Sequence, residues 1–201
     1  MKKFFVMAVA AMMATMSVHA QSDDPKNEIG ISYGVGLSLL GDGIGDAVST
    51  GLVGGIFGYK YENYKEFGTL SVEYFRHLNN PRWAVGGIIA YARSTQDVMR
   101  DNGSKYIDRT RNYYTVMPAA KYYWVNKSHF GLYSKAAVGV MIVNVNEKLP
   151  SSGESKSENE LRFMGQLSAL GLEAGAKHVR AFIEAGVGEQ GIVLAGVRAK
   201  F

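Results

Sequence analysis

Ile29-Gly30-Ile31-Ser32-Tyr33-Gly34-Val35-Gly36-Leu37-Ser38-Leu39 alternates without a break. Ile29, Ile31, Tyr33, Val35, Leu37 and Leu39 fall on one side, and Gly30, Ser32, Gly34, Gly36 and Ser38 on the other. A period of two is that of a β-strand, whose successive side chains point to opposite faces. A strand on a water-facing sheet fills its polar side with Lys, Glu and Thr. Residues as small as Gly and Ser suit instead the crowded inside of a narrow barrel, with the apolar side turned to lipid. The stretch therefore reads as a membrane-spanning β-strand.

The same reading extends along the chain. Alternation and turn signals together give eight strands, at about 27–39, 64–78, 83–95, 111–125, 130–146, 161–174, 180–188 and 191–201. Leu70, Val72 and Tyr74, then Trp83, Val85, Ile89 and Tyr91, then Tyr114, Val116, Ala120, Tyr122 and Trp124 form the outward sets. Trp and Tyr at both ends of each apolar stripe match two interfacial girdles, because an amphipathic ring settles between acyl chains and headgroups. In the sixth strand Gln166 and Ser168 are out of phase with Glu173, which predicts a bulge near Ala169 to Gly171. Short connections at 79–82, 126–129 and 175–178 alternate with long ones at 40–63, 96–110 and 147–160, and only the connection near Glu189-Gln190 breaks the rule. Short turns on the periplasmic side and long loops outside are the pattern of an all-β, eight-stranded antiparallel transmembrane barrel.

Composition narrows the function classes. Lys2 and Lys3 precede an uncharged run from Phe4 to Val18, and Val18-His19-Ala20 presents small residues for cleavage between Ala20 and Gln21. Residues 1–20 are expected to be a secretory signal peptide and 21–201 the barrel domain. Removing the two lysines takes the formal charge from +4 to +2, so the basic balance gives no ground for a nucleic-acid partner, and no nucleic-acid motif is present. The chain has no cysteine, which excludes disulfides, cysteine-ligated metals and a lipid-modified cysteine.

Projected inward, Glu73, Lys121, Lys135, Glu184 and Arg198 sit at similar heights near the periplasmic end of their strands. Eight strands leave room for side chains and little else, so these groups are expected to form an ion-pair layer joined by Tyr123 and Tyr133. A charged constriction for ions is the alternative reading. The histidines of the mature chain, His77, His129 and His178, all fall at periplasmic turns, on the wrong side for chemistry on outer-leaflet lipid. Ser128 and His129 are neighbours whose side chains are expected to diverge, with no acid beside them, so no catalytic set, metal site or cofactor is expected. In the first long loop Gly41-Asp42-Gly43-Ile44-Gly45-Asp46 reads as a flexible turn and not as a calcium repeat, and Ala47 to Gly58 as a short amphipathic segment. Arg93, Arg100, Lys105, Arg109 and Arg111, mixed with Asp97, Asp101 and Asp108, read as a solvated loop of mixed charge, with contact to lipopolysaccharide phosphates as the alternative.

The last strand carries Val193, Ala195, Val197, Ala199 and Phe201 on one face and closes on that Phe. This ending resembles the assembly signal that the barrel-insertion machinery reads in bacterial outer-membrane proteins. With eight strands and a signal peptide, 27–201 is similar to the small outer-membrane proteins of the OmpA/OmpX type. Its Tyr-rich strands and Gly-rich first loop most resemble the outer membrane protein β-barrel domain family common in Bacteroidota. With no peptidoglycan-binding domain expected after Phe201, it is nearer the OmpX arrangement than full-length OmpA. The resemblance implies a Gram-negative outer-membrane location and a non-enzymatic role in envelope integrity or surface interaction. An extracellular ligand would be met through 40–63, 96–110 and 147–160. A small pore, and then a lipid-binding or lipid-modifying barrel, are the alternatives. A soluble lipocalin-like barrel, with its apolar side inward, is the structural rival. Deleting Phe201 separates the two: a soluble barrel should still fold and be secreted, whereas the outer-membrane barrel should accumulate unassembled, as read by membrane fractionation and by its mobility in unheated gels.

Overall fold

The computed structural model describes residues 25–35, 59–100, 105–148 and 155–201. Eight strands follow one another: β1 (Asn27–Val35), β2 (Tyr59–His77), β3 (Trp83–Arg100), β4 (Lys105–Asn126), β5 (Phe130–Lys148), β6 (Ser155–Gly175), β7 (Val179–Gly188) and β8 (Val193–Lys200). Each pairs antiparallel with the next, and β8 returns to β1 through Glu28↔Lys200 to Val35↔Val193, closing the barrel. Asn27 and Phe201 exchange backbone hydrogen bonds of 2.7 and 2.8 Å, so the two ends of the described chain meet at one rim. The three turns after β2, β4 and β6 lie at that same rim.

The described strands β2 to β6 run on where long loops were expected. β3 continues to Arg100 and β4 starts at Lys105, and β5 and β6 extend to Lys148 and from Ser155. Pairs such as Asp97↔Asp108 and Asn146↔Ser157 carry the ladder through both regions. The expected loops 96–110 and 147–160 are thus mostly strand, and 40–63 gives way to β2 at Tyr59. The reason is physical: alternation marks a strand of this kind only while its outward row is apolar, and backbone pairing continues past the row where that side turns polar. The cleavage pair Ala20-Gln21, the Gly/Asp turn and Ala47 to Gly58 lie outside the described residues.

Polarity is inverted relative to a soluble barrel. Val72, Tyr74, Trp83, Ile89, Val116, Trp124, Val138, Phe163, Val187 and Val197 are exposed on the outside, while the inward faces carry the charged and small residues. The far edge of the apolar band is drawn in register across four strands. Tyr91, Tyr114, Ile142 and Leu161 are successive cross-strand partners, and the next outward row is Arg93, Asn112, Asn144 and Asn159. Asn144 Nδ2 donates to Asn159 Oδ1 at 2.7 Å, and Tyr91 OH to Asn112 Oδ1 at 3.1 Å. At the other edge Trp83 and Trp124 both stack edge-on against Tyr122, at 5.0 and 4.9 Å. A rise of about 3.3 Å per residue and a tilt of about 40° make this band roughly 20–25 Å tall, the thickness that membrane barrels present to lipid.

Two irregularities shape the inside. Ser168 pairs with Gly186 and Leu170 with Ala185, so Ala169 is the extra residue of a bulge in β6, within the predicted stretch. Ser134 Oγ donates to the Ala169 carbonyl at 2.7 Å. The bulge reverses the phase, so that Ser168 and Glu173 both point inward. The second is the turn between β7 and β8, which is tight and folds into the lumen: Glu189 and Gln190 are each 1% exposed. Glu189 N donates to Gly165 O, Ile192 N to Val35 O, and Thr69 Oγ1 to Glu189 O. Gly191 supplies the positive φ of 104° that this turn requires. Gly34 makes room for it, since a Cβ there would overlap the Gln190 carbonyl oxygen. Gly34→Ala should therefore cost about 1–3 kcal/mol in urea unfolding. Gly87→Ala, whose Cβ would meet only Met117 O at 3.6 Å, should change little.

Candidate functional site: the charged lumen

The inward faces of seven strands, all but β3, deliver ionisable groups to one layer near the rim that carries Asn27 and Phe201. Lys121 Nζ lies 2.6 Å from Glu28 Oε1 and 2.8 Å from Glu73 Oε1. Lys135 Nζ lies 3.2 Å from Glu73 Oε2 and 2.6 Å from Glu184 Oε2. Arg198 forks between Glu73 at 2.9 Å and Glu173 at 2.7 Å, with Glu28 and Glu184 at 3.6 and 3.7 Å. Lys200 Nζ is 2.5 Å from Glu173, and Arg180 Nη1 pairs with the same carboxylate. Glu73, Lys121, Lys135, Glu184 and Arg198 thus sit in one connected network.

Phenols and a hydroxyl complete it. Tyr133 OH donates to Glu184 at 2.7 Å and accepts from Arg198 Nη2 at 2.8 Å. Tyr123 OH donates to Glu28 at 3.1 Å, and Ser168 Oγ to Glu184 at 2.6 Å. The cations also lie over rings, Lys121 at 3.8 Å from Phe75 and Arg198 at 3.9 Å from Phe182. Glycines on neighbouring strands leave the space: a Cβ at Gly131 would come within 2.7 Å of Glu173 Cγ, and one at Gly30 within 3.0 Å of Glu73 Cγ. Ile88, Met117 and Leu194, each 2% exposed or less, add apolar bulk to the lumen. The arrangement sets four carboxylates among five cations and holds the wall together across the lumen.

Four members went unassigned in the sequence. Glu28, Arg180 and Lys200 are inward by simple alternation from Gly30, Glu184 and Arg198, so their signal was present at the strand ends. Glu173 required the bulge to be carried through to its consequence. The strand-closing residues Val193, Ala195 and Val197 face outward, whereas Ala199 is only 7% exposed.

The histidines lie at the rim. His77 Nε2 is 3.3 Å from Glu28, and His178 Nδ1 3.0 Å from the Lys200 carbonyl oxygen. Ser128 and His129 do not diverge as expected: Ser128 Oγ is 3.0 Å from His129 Nδ1. The turn folds the two side chains back on each other, which adjacency alone did not reveal. The pair is solvent-exposed, and among the described residues no carboxylate pairs with His129 and no cluster of three metal-ligating side chains occurs.

No protein-family model matches the chain, and no curated protein does. Solved structures with a similar barrel include Ail, the attachment invasion locus protein of Yersinia pestis. It is 14% identical, with a TM-score of 0.45, over 88% of this chain and 98% of that one. Ail in complex with the heparin analogue sucrose octasulfate gives the same identity and coverage with a TM-score of 0.41. The N-terminal β-barrel domain of Pseudomonas aeruginosa OprF is 12% identical, with a TM-score of 0.42, over 89% of this chain and all of that one. At these identities no luminal residue here takes a role from those proteins.

Removing one member of a buried ion pair leaves its partner charged and desolvated, at a cost of about 3–5 kcal/mol. Arg198→Met should lower stability by that order in urea unfolding. Glu73→Gln combined with Arg198→Met should cost less than the sum of the two single changes, because each removes the other's orphan.

Proposed function

We propose that this chain is an integral outer-membrane barrel of a Gram-negative cell, exported with cleavage between Ala20 and Gln21, and that it acts without catalysis in envelope integrity or surface contact. The observation that carries the reading is the outward apolar band. It is bounded by Trp83, Tyr122 and Trp124 at one edge and by the row from Tyr91 to Leu161 at the other, with asparagines directly beyond. An exposed apolar surface of this extent is costly in water and stable in hydrocarbon. The rim with both termini would face the periplasm and the extended ends of β2 to β6 the exterior.

The filled lumen speaks for a structural or binding role. Paired charges and the apolar side chains Ile88, Met117 and Leu194 oppose a water-filled conduit, which weakens the pore alternative. Contacts with outer-leaflet lipid, lipopolysaccharide included, would begin at Arg93 in the first polar row, where phosphates are within reach. A surface partner would meet the polar outward rows of β3 to β6, in which Arg93, Asn112, Asn144 and Asn159 lie side by side.

The only two tryptophans, Trp83 and Trp124, report the orientation directly. Both are outward, at 43% and 60% exposure, beside the rim that carries the termini. In vesicles of brominated lipid their fluorescence should be quenched more by bromine near the headgroup than by bromine near the bilayer centre. Quenching by aqueous acrylamide with none from either lipid would sink the membrane reading.

A further inference from the structure

Beneath the charged layer, the rim that carries both termini encloses a cavity of about 670 Å³. Its walls come from the start of β1, the end of β8 and all three turns of that rim, so it opens along the barrel axis and not sideways. Lys26, Lys127, Lys177, Arg180 and Lys200 line it together with His77, and among the described residues no Asp or Glu does. The size falls within the range of small-molecule pockets.

The charges of this cup are not used up by the network above it. Among the described residues Lys26 and Lys127 have no carboxylate partner, whereas Arg180 pairs with Glu173 and Lys200 lies 2.5 Å from Glu173 and 3.6 Å from Glu28. Arg180 is fixed in place: Nη2 donates to the carbonyl oxygens of Lys127 and Ser128, each at 2.8 Å, and Nη1 to Glu173. Its Nε–H, buried in the wall, has no partner at all. A guanidinium proton left unmade in a buried wall is costly, and cations crowded around a concave mouth concentrate a positive field there.

We propose that this mouth is a binding site for a compact phosphate-bearing polyanion, with the ammonium groups of Lys26, Lys127 and Lys177 holding it from the three sides of the cup. Ammonium groups on flexible stems act as point charges and adapt to a multiply charged phosphate without demanding one geometry. That the ligand arrives from the periplasm rests on the membrane orientation proposed above; the site itself does not.

The test is calorimetry of residues 21–201, refolded in a zwitterionic detergent at fixed ionic strength and pH 7.5, with inorganic pyrophosphate as the probe. Binding should be at least about tenfold tighter than for sulfate, and the combined Lys26→Gln, Lys127→Gln, Lys177→Gln variant should lose about tenfold or more. Arg82→Gln, at the same rim but outside the cup, should stay within about twofold, which separates the site from a general loss of positive charge. Equal, weak binding of pyrophosphate and sulfate, or no change in the triple variant while its unfolding midpoint is unaltered, would overturn the proposal. Pyrophosphate binding in a protein whose tryptophans fail the brominated-lipid test would keep this site and discard the membrane reading.

Discussion

An interior only wide enough for side chains forces every charge that enters it to find a partner there. Eight strands fix that width, and the wall sends Glu28, Glu73, Glu173 and Glu184 inward against Lys121, Lys135, Arg180, Arg198 and Lys200. The rest of the molecule is arranged around this requirement. Glycines at Gly30 and Gly131 clear space for carboxylate stems, and Tyr133 is placed to donate to Glu184 while accepting from Arg198. Low dielectric strengthens each contact and makes an unpaired member costly, so the layer fixes one arrangement of the wall and excludes slipped ones.

The outside obeys the complementary rule. Closure through β8 and β1 leaves the backbone ladder without an edge over the height of the short strands, which an apolar surround requires because it offers no hydrogen bonds. The apolar band then ends along a register line, Tyr91 to Leu161, and asparagines take over one row further on. The same strands continue past that line, where the outward row turns polar while Val143 and Val145 still pack inside. Strand length and apolar length are therefore separate quantities here.

The two ends of the lumen are finished differently. At the far end the turn after β7 folds inward and fills the interior with Glu189 and Gln190, possible because Gly34 presents no side chain to it. At the other end the wall stops at three short turns that leave a basic cup. The surplus of cations over carboxylates is thus concentrated at one mouth, just where the chain begins and ends its circuit.

By itself the sequence determined the strand count, the faces, a bulge within Ala169 to Gly171 and the inward direction of most luminal charges, because these follow from a period of two read against outward apolar residues. Tertiary structure alone decided three things. The ends of β3 to β6 were hidden, since the outward row turns polar there and the hydrophobic alternation is lost while backbone pairing continues. Glu173 joined the network only when the bulge was resolved into an actual change of phase. The basic cup draws Lys26 from the segment before β1 and Lys127 and Lys177 from two turns, and no local pattern records that a closed ring brings such residues to one mouth.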